Sequence, residues 1–185
     1  MEKIIFLDRD GVINEFPGRG EYVTRWEDFH LLPSAKKAIA LLTASGFEMN
    51  VISNQGCVSG GLLTLQELET ITSKMLKGVE SAGGRIHGVF YCIHKTADRC
   101  KCKKPQTALF HQAARGRDID FSSAYFIGDS EEDMQAGENI GCRTVLVLSG
   151  RAQEEDLSRF LVKPQIVKKD LLDAAQWILE VKKKS

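Results

Sequence analysis

Acidic residues follow the first apolar segment of the chain at a spacing that could support phosphoryl chemistry. Asp8 and Asp10 lie two residues apart, directly after an apolar run at 4–7 that is typical of a buried strand. Two further polar clusters follow later apolar runs: Ser53-Asn54-Gln55 and Asp129-x-x-x-Asp133. The carboxyl ends of parallel strands are neighbours, and ligands bind beyond them. We therefore predict that these polar groups converge on one site.

The residue types at this site indicate a particular reaction. Converging carboxylates repel one another and need a cation, and hard oxygen ligands favour Mg²⁺. Asp8 could then attack phosphorus to form an aspartyl-phosphate, while Asp10 protonates the leaving oxygen and later activates water. Lys104 could neutralise charge on the transferred group, and the Ser53 hydroxyl could bind its oxygens together with backbone N–H groups. The pattern predicts a magnesium-dependent phosphatase.

A second group of metal-ligating residues occupies segment 92–102. Cys92-x-His94 and Cys100-x-Cys102 supply three thiolates and one imidazole, a complete tetrahedral set for structural Zn²⁺. The polar segment at 95–99 has no core pattern, which disfavours the alternative of buried free cysteines. Because Cys102 lies two residues before Lys104, a zinc-binding loop would orient Lys104 without touching substrate.

The elements that must position these residues alternate between strand and helix patterns. Apolar runs predict strands at 4–7, 47–52, 89–91, 124–127 and 144–148, with a short edge strand at 166–167. Helical spacing and caps predict helices from Pro33 to the stop at Gly46, from the Thr64 cap to Gly83, and at 107–115, 131–139 and 170–182. Such alternation implies an α/β fold with a mostly parallel sheet, helices on both faces, and one domain over residues 1–185.

Charge and composition exclude several kinds of partner. Lys plus Arg (25) equals Asp plus Glu (25), so the overall charge favours neither nucleic acid nor a membrane surface. No apolar run reaches the roughly 18 residues of a membrane span. The chain enters its first strand directly after Met1-Glu2-Lys3 and has an odd number of cysteines (5), so we expect a cytoplasmic protein without disulfides. We also expect a monomer. The partner expected is a small phosphorylated substrate.

Taken jointly, the motifs resemble those of the haloacid dehalogenase (HAD) superfamily. The resemblance covers residues 3–150 and rests on Phe6-Leu7-Asp8-Arg9-Asp10-Gly11-Val12-Ile13-Asn14, Ser53-Asn54-Gln55, Lys104-Pro105 and Gly128-Asp129-x-x-x-Asp133. It implies a HAD-like Rossmannoid three-layer sandwich with a central parallel sheet, a catalytic core at about 3–150 and no large cap domain.

The resemblance also implies a role for each matching residue. Asp8 would be the nucleophile and Asp10 the general acid and base, with Ser53 and Lys104 holding the phosphoryl group. Asp8, the backbone carbonyl of Asp10 and Asp129 would bind Mg²⁺, supported by Asp133. The substrate-binding residues would be Arg9, Asn54, Gln55, Gly56, Lys103 and Ser130.

The Cys-x-His…Cys-x-Cys-basic-Lys-Pro loop resembles the branch that holds heptose-bisphosphate and histidinol-phosphate phosphatases. We expect removal of the 7-phosphate of D-glycero-D-manno-heptose 1,7-bisphosphate. The alternative is histidinol phosphate or another small sugar phosphate, because the five-residue gap between His94 and Cys100 is the short form known from the histidinol-phosphate enzyme. Lys103 and Ser130 replace residues that are usually Arg, and Lys or Arg, in this branch. These departures concern substrate preference, and so does the unusual length of the segment at 15–23.

Two other functional classes match the pattern less well. A response-regulator receiver also gathers acids, Mg²⁺ and Lys above a parallel sheet, but the central strand that should end in its phosphorylated Asp runs into Cys92 here. A zinc-dependent nucleic-acid module would need a basic face around the cysteines. We expect Trp26 and Phe29 to be partly core, and Cys57 and Cys142 to be buried.

Overall fold

The structure is a computed structural model that describes residues 3–183. Its strands are β1 (Ile4–Leu7), β2 (Glu48–Asn54), β3 (Gly88–Cys92), β4 (Tyr125–Gly128), β5 (Arg143–Val147) and β6 (Ile166–Lys168). All six belong to one sheet in the order β3-β2-β1-β4-β5-β6, and each neighbouring pair is parallel.

The helices are α1 (Pro33–Ala44), α2 (Leu65–Glu80), α3 (Ala108–Ala113), α4 (Glu131–Ile140) and α5 (Leu171–Lys183). The core on one face of the sheet includes buried residues of α1, α2 and α5, and the core on the other face includes those of α3 and α4. This arrangement confirms the predicted α/β three-layer sandwich. Within residues 3–183, the connections between elements contain short 3-10 turns and no inserted cap domain.

β1 is buried on both faces, which explains its continuous apolar sequence. Ile5 and Leu7 pack into the core beneath α1, α2 and α5, whereas Ile4 and Phe6 pack into the core beneath α3 and α4. Phe6 meets the Phe110 ring edge-on, with the ring centroids 5.1 Å apart. The strand that carries Asp8 is therefore held from both sides.

The observed ends of β2 differ from the predicted ones. The apolar pattern stops at Ile52, but backbone pairing continues because Ser53 and Asn54 are in register with Tyr91 and Cys92 of β3. The polar residues thus lie on the strand itself and share the rigidity of the sheet. The predicted helix at 107–115 is shorter in the structure, and the chain turns at Gly116 with φ +80°.

The strand order reverses at β1, because β2 and β3 lie on one side of it while β4, β5 and β6 lie on the other. A crevice therefore forms beyond the carboxyl ends of β1 and β4, where α/β sheets of this kind bind ligands. The Asp8 backbone N–H donates to Ile127 O across this junction at 2.9 Å. Asp8 and Asp129 follow the two strands directly.

Residues outside the site largely follow their predicted burial. Phe29 is buried and stacks on the half-buried Trp26, with 5.3 Å between the ring centroids, so the prediction of partial core is confirmed. Cys57 and Cys142 are buried as predicted. None of the helices within residues 3–183 combines the length and the apolar character that crossing a bilayer requires. Three expectations stay predictions: the cytoplasmic location, the monomeric state and the single domain. The predicted bounds of that domain, 1–185, include residues outside the described range.

Candidate active site

A buried lysine lies between two carboxylates at the carboxyl ends of the strands. Lys104 Nζ is 2.9 Å from Asp8 Oδ1 and 2.6 Å from Asp133 Oδ1. Only 2% of the Lys104 side chain is exposed. Burial lowers the pKa of Lys104, but the charges of Asp133 and Asp8 outweigh that effect and raise it above its usual value. Lys104 is therefore a permanent cation at neutral pH.

The end of β2 holds Lys104 in this position. The Asn54 side chain accepts a hydrogen bond from the backbone N–H of Lys104 at 3.0 Å and donates one to its carbonyl at 3.3 Å. Because Asn54 is the last residue of β2, the lysine backbone is tied directly to the sheet.

Asp133 supports the site from the first turn of α4. Ser130 is the N-cap of this helix and forms a capping box with Asp133. Asp133 Oδ2 accepts from the backbone N–H groups of Asp129 (3.2 Å) and Ser130 (3.1 Å) and from the Ser130 hydroxyl (2.5 Å). Its other oxygen faces Lys104, so both carboxylate oxygens already have protein partners. This geometry suits a supporting residue better than a direct metal ligand.

Carboxylate oxygens of Asp8, Asp129 and Asp133 lie within 4.8 Å of one another. Burial raises the pKa of Asp8 to about 6; Asp133 and Asp10 add to this, and Lys104 opposes it. Burial also raises the pKa of Asp129 well above its usual range, with further contributions from Asp133 and Asp8. Three buried carboxylates beside one lysine leave excess negative charge, which a divalent cation with oxygen ligands would neutralise. Asp8 and Asp129, two of the predicted Mg²⁺ ligands, belong to this group.

The Asp10 carboxylate is held apart from that group by three side chains. Asn14 donates to Asp10 Oδ1 at 2.8 Å, Gln55 to Oδ2 at 2.9 Å, and Arg9 to both oxygens. The predicted metal contact through Asp10 would therefore use its backbone carbonyl and not its side chain.

The position of Arg9 does not agree with its predicted contact with substrate. Its side chain is completely buried between Phe29 and Tyr91, 5.7 Å from each ring centroid, and it donates to Gln55 Oε1 at 3.0 Å. Gln55 is only 1% exposed. Substrate contact by Arg9 or Gln55 does not fit these positions, because both lie behind Asp10. They orient the Asp10 carboxylate instead.

A cavity of about 300 Å³, here called the reaction cavity, brings most of the predicted site residues together. Those lining it are Asp8, Asp10, Ser53, Asn54, Lys104, Asp129, Ser130 and Asp133. Gly56 and Lys103 do not line the reaction cavity, and their predicted substrate contacts stay predictions. Gly56 faces the His94 backbone. Lys103 lines a neighbouring cavity of about 190 Å³, which shares Lys104 and Glu132 with the reaction cavity.

Several residues that line the reaction cavity were missed from sequence. Arg19 reaches it from the 16–22 loop, part of the segment whose length is unusual, and Glu132 from α4. Arg151 follows β5, so applying the strand-end rule to Ser149-Gly150-Arg151 would have identified it. All three residues are charged, and Arg19 and Arg151 are exposed.

Two glycines allow the close approach of three backbone segments around Asp129. Gly11 has φ +81°, and a Cβ atom at either Gly11 or Gly150 would overlap the Asp129 carboxylate. Ser149 Oγ donates to Gly11 O, and the Arg151 N–H donates to Asp129 Oδ2, both at 2.7 Å. The Asp129 carboxylate is thus clamped between the Gly11 turn and the loop after β5.

The predicted zinc ligands form a compact cluster. Sγ–Sγ distances are 3.5 Å for Cys92–Cys100, 3.2 Å for Cys92–Cys102 and 3.5 Å for Cys100–Cys102. His94 Nδ1 is 3.3 Å from Cys102 Sγ. Burial raises the pKa of the Cys92 thiol to about 12, so a cation is needed to ionise it at neutral pH. The cluster could hold one tetrahedral metal ion.

The parallel sheet and the acidic crevice at its switch point define a hydrolase of the HAD class. A family model described as HAD-hydrolase-like matches residues 101–174. The chain is 33% identical to the D-glycero-beta-D-manno-heptose-1,7-bisphosphate 7-phosphatase of Neisseria meningitidis, covering 96% of this chain and 95% of the relative. The corresponding enzyme of Bordetella bronchiseptica is 32% identical, with 96% and 98% covered.

A solved structure agrees with these relatives. The crystal structure of D,D-heptose 1,7-bisphosphate phosphatase from B. bronchiseptica, complexed with magnesium and phosphate, superposes with a TM-score of 0.90 at 31% identity, covering 98% of this chain and 99% of that chain. The chain belongs to the HAD superfamily and, within it, to the phosphatase family that these relatives represent. It is a phosphatase, and the predicted superfamily and enzyme class are confirmed.

Proposed function

We propose that this phosphatase removes the 7-phosphate of D-glycero-β-D-manno-heptose 1,7-bisphosphate in a Mg²⁺-dependent reaction. The observation that carries the proposal is the contact of Lys104 Nζ with Asp8 Oδ1 at 2.9 Å, in a cavity that also contains Asp129 and Ser53. The substrate follows from the relatives, because those described above are named for this reaction.

Asp8 is the proposed nucleophile. Its carboxylate attacks the phosphorus of the 7-phosphate, the bond to the sugar oxygen breaks, and an aspartyl-phosphate forms on Asp8. Lys104, held by Asn54 and Asp133, stabilises the negative charge of the transferred group, and the Ser53 hydroxyl donates to one of its oxygens. The positions of Lys104 and Ser53 depend on β2, which is part of the sheet.

Asp10 is the proposed general acid and base. It gives a proton to the leaving sugar oxygen in the first step and takes one from the attacking water in the second, which regenerates Asp8 and releases phosphate. Asn14, Gln55 and Arg9 keep its carboxylate at the cavity wall. The same group can serve both steps because the leaving oxygen and the water occupy the same side of phosphorus.

The chain's donor groups fit two metal ions of different kinds. Asp8, Asp129 and the Asp10 carbonyl would hold Mg²⁺, which would screen the repulsion between Asp8 and the phosphate. Cys92, His94, Cys100 and Cys102 would hold structural Zn²⁺ and order the segment that leads to Lys104.

Phosphate release from heptose 1,7-bisphosphate and from histidinol phosphate tests the proposal directly. We expect turnover of the heptose bisphosphate, dependence on Mg²⁺, and loss of activity in Asp8→Asn. Good turnover of histidinol phosphate without turnover of the heptose would assign the chain to the alternative reaction that the short His94–Cys100 spacing suggests. Full activity of Asp8→Asn would refute the mechanism.

A further inference from the structure

A second cavity of about 400 Å³ adjoins the reaction cavity. The residues that line both are Arg19, Ser130, Glu132 and Arg151. The second cavity is therefore one of the spaces into which a substrate could extend from the reacting phosphate. We call it the arginine cavity, because Arg19, Arg151 and Arg159 contribute to its lining.

The chain holds Arg151 firmly at the boundary between the two cavities. Its backbone N–H donates to Asp129 Oδ2 at 2.7 Å, and the next residue, Ala152, donates to Asp129 O at 2.9 Å. Within residues 3–183, neither the Arg151 nor the Arg159 guanidinium forms an ion pair or hydrogen bond. Two cationic groups therefore border the cavity without a direct ion pair to its acidic residues within residues 3–183.

The acidic residues of this cavity are occupied by protein donors. Glu131 accepts from the backbone N–H groups of Leu161 and Val162. Glu132 accepts from Asn54 at 3.2 Å. Asp156 accepts from the Gln153 N–H and lies 3.7 Å from the Arg19 guanidinium, which it orients at the rim.

The two expected recognition residues, Lys103 and Ser130, supply no cation to the arginine cavity. The Ser130 hydroxyl donates to Asp133, and Lys103 lines its own cavity. Glu132 and Lys104 border both that cavity and the reaction cavity, and Glu132 borders the arginine cavity as well.

We propose that the arginine cavity binds the second, non-reacting phosphate of a bisphosphorylated sugar, with Arg151 and Arg19 as its contacts. The inference rests on the proposed function, since a bisphosphate with one phosphate at Asp8 must place the other nearby. Guanidinium groups match phosphate with paired hydrogen bonds, which a single lysine ammonium does not. Arg19 and Arg151 thus determine specificity and do not take part in bond breaking.

The test compares kcat/KM for heptose 1,7-bisphosphate with kcat/KM for heptose 7-phosphate. In Arg151→Gln and in Arg19→Gln, the ratio of the two values should fall about tenfold or more, as expected when hydrogen bonds to a charged group are lost. Arg25→Gln, which replaces an exposed arginine that lines neither cavity, is the matched control and should keep the wild-type ratio.

Each other outcome contradicts a specific step. Equal kcat/KM for the two substrates in the wild type, or an equal loss for both in the variants, would overturn the arginine cavity as a subsite. A larger fall of the ratio in Lys103→Gln would move the second phosphate to the Lys103 cavity and also overturn it.

Titration with inorganic phosphate in the presence of Mg²⁺ separates this inference from the proposed function. We expect two phosphates per wild-type chain and one in the Arg19→Gln/Arg151→Gln double variant. Hydrolysis of neither sugar phosphate would refute the proposed function while this titration still decides the subsite, and one phosphate per wild-type chain would refute the subsite.

Discussion

Replacing Asp8 by asparagine should abolish phosphate release and yet stabilise the folded chain when Mg²⁺ is absent. The carboxylate is buried beside Asp133 and Asp10, and burial is the largest cause of its raised pKa. Asparagine has nearly the same shape without the charge. The Asp8 carboxylate is therefore retained at a cost to folding, as often happens at active sites.

The magnitude follows from the difference in pKa between the folded and unfolded states. The Asp8 pKa rises from 3.8 to about 6, and each pKa unit is about 1.4 kcal/mol, so ionised Asp8 costs the folded chain about 3 kcal/mol at pH 7. Because the folded-state pKa is raised, the cost is absent below about pH 3.8, where Asp8 is protonated in both states. The folded chain loses this stability as the pH rises through about 6. The stabilisation by Asp8→Asn should therefore appear at pH 7 and vanish near pH 4.

Thermal melts of wild type and Asp8→Asn at both pH values, without Mg²⁺, measure this effect. At pH 7 the melting temperature of Asp8→Asn should be higher by about 6–12 °C, since 1 kcal/mol corresponds to about 2–4 °C for a chain of this size. Asp118→Asn, at an exposed position outside the site, is the control and should leave stability nearly unchanged. Added Mg²⁺ should stabilise wild type more than Asp8→Asn. A variant less stable than wild type at pH 7, or an equal difference at both pH values, would refute the reasoning.

Three further perturbations probe the groups around Asp8. Lys104→Met removes the cation between the carboxylates, and we expect kcat to fall about 10²–10³-fold with a loss of about 3–5 kcal/mol at pH 7, measured by phosphate release and urea titration. Gly11→Ala should weaken Mg²⁺ binding and activity because its Cβ would overlap Asp129, whereas Gly46→Ala, with φ +77° and open space around it, should show backbone strain alone in thermal melts. Removing Zn²⁺ by chelation should lower kcat by disordering the loop before Lys104 and expose three thiols to reagent, those of Cys92, Cys100 and Cys102, while Cys57 stays protected.

The strand ends were predictable because burial on both faces requires continuous apolar runs, and parallel topology then brings those ends together. Asp8, Ser53 and Asp129 could thus be placed on one site from sequence. The complete burial of the Arg9 side chain could not be predicted, because arginine is rarely buried. Its burial depends on Asp10 and on the Phe29 and Tyr91 rings, which come from distant parts of the chain.

The space beside the reaction centre was equally hidden from sequence. Arg19 lies on a loop of irregular structure and Arg151 beyond the end of β5, and neither position has a periodic pattern that indicates its partners. Only the folded chain brings Arg19 and Arg151 to one cavity. The same structure shows that Lys103 lines a different cavity. Motif residues that directly follow strands, such as Asp8 and Asp129, are therefore easier to identify than exposed cavity residues such as Arg19 and Arg151.

The Asn54 side chain makes the pair of hydrogen bonds to Lys104 that a neighbouring strand would make with its backbone. The sheet therefore positions the Lys104 backbone together with the loop that precedes it. Residues could be gained or lost between Cys92 and Cys102 without moving the ammonium group, provided that Asn54 stays and the segment still binds a metal ion that orders it. The loop is then free to diverge during evolution, and a designer could graft a different metal-binding segment there while keeping the chemistry.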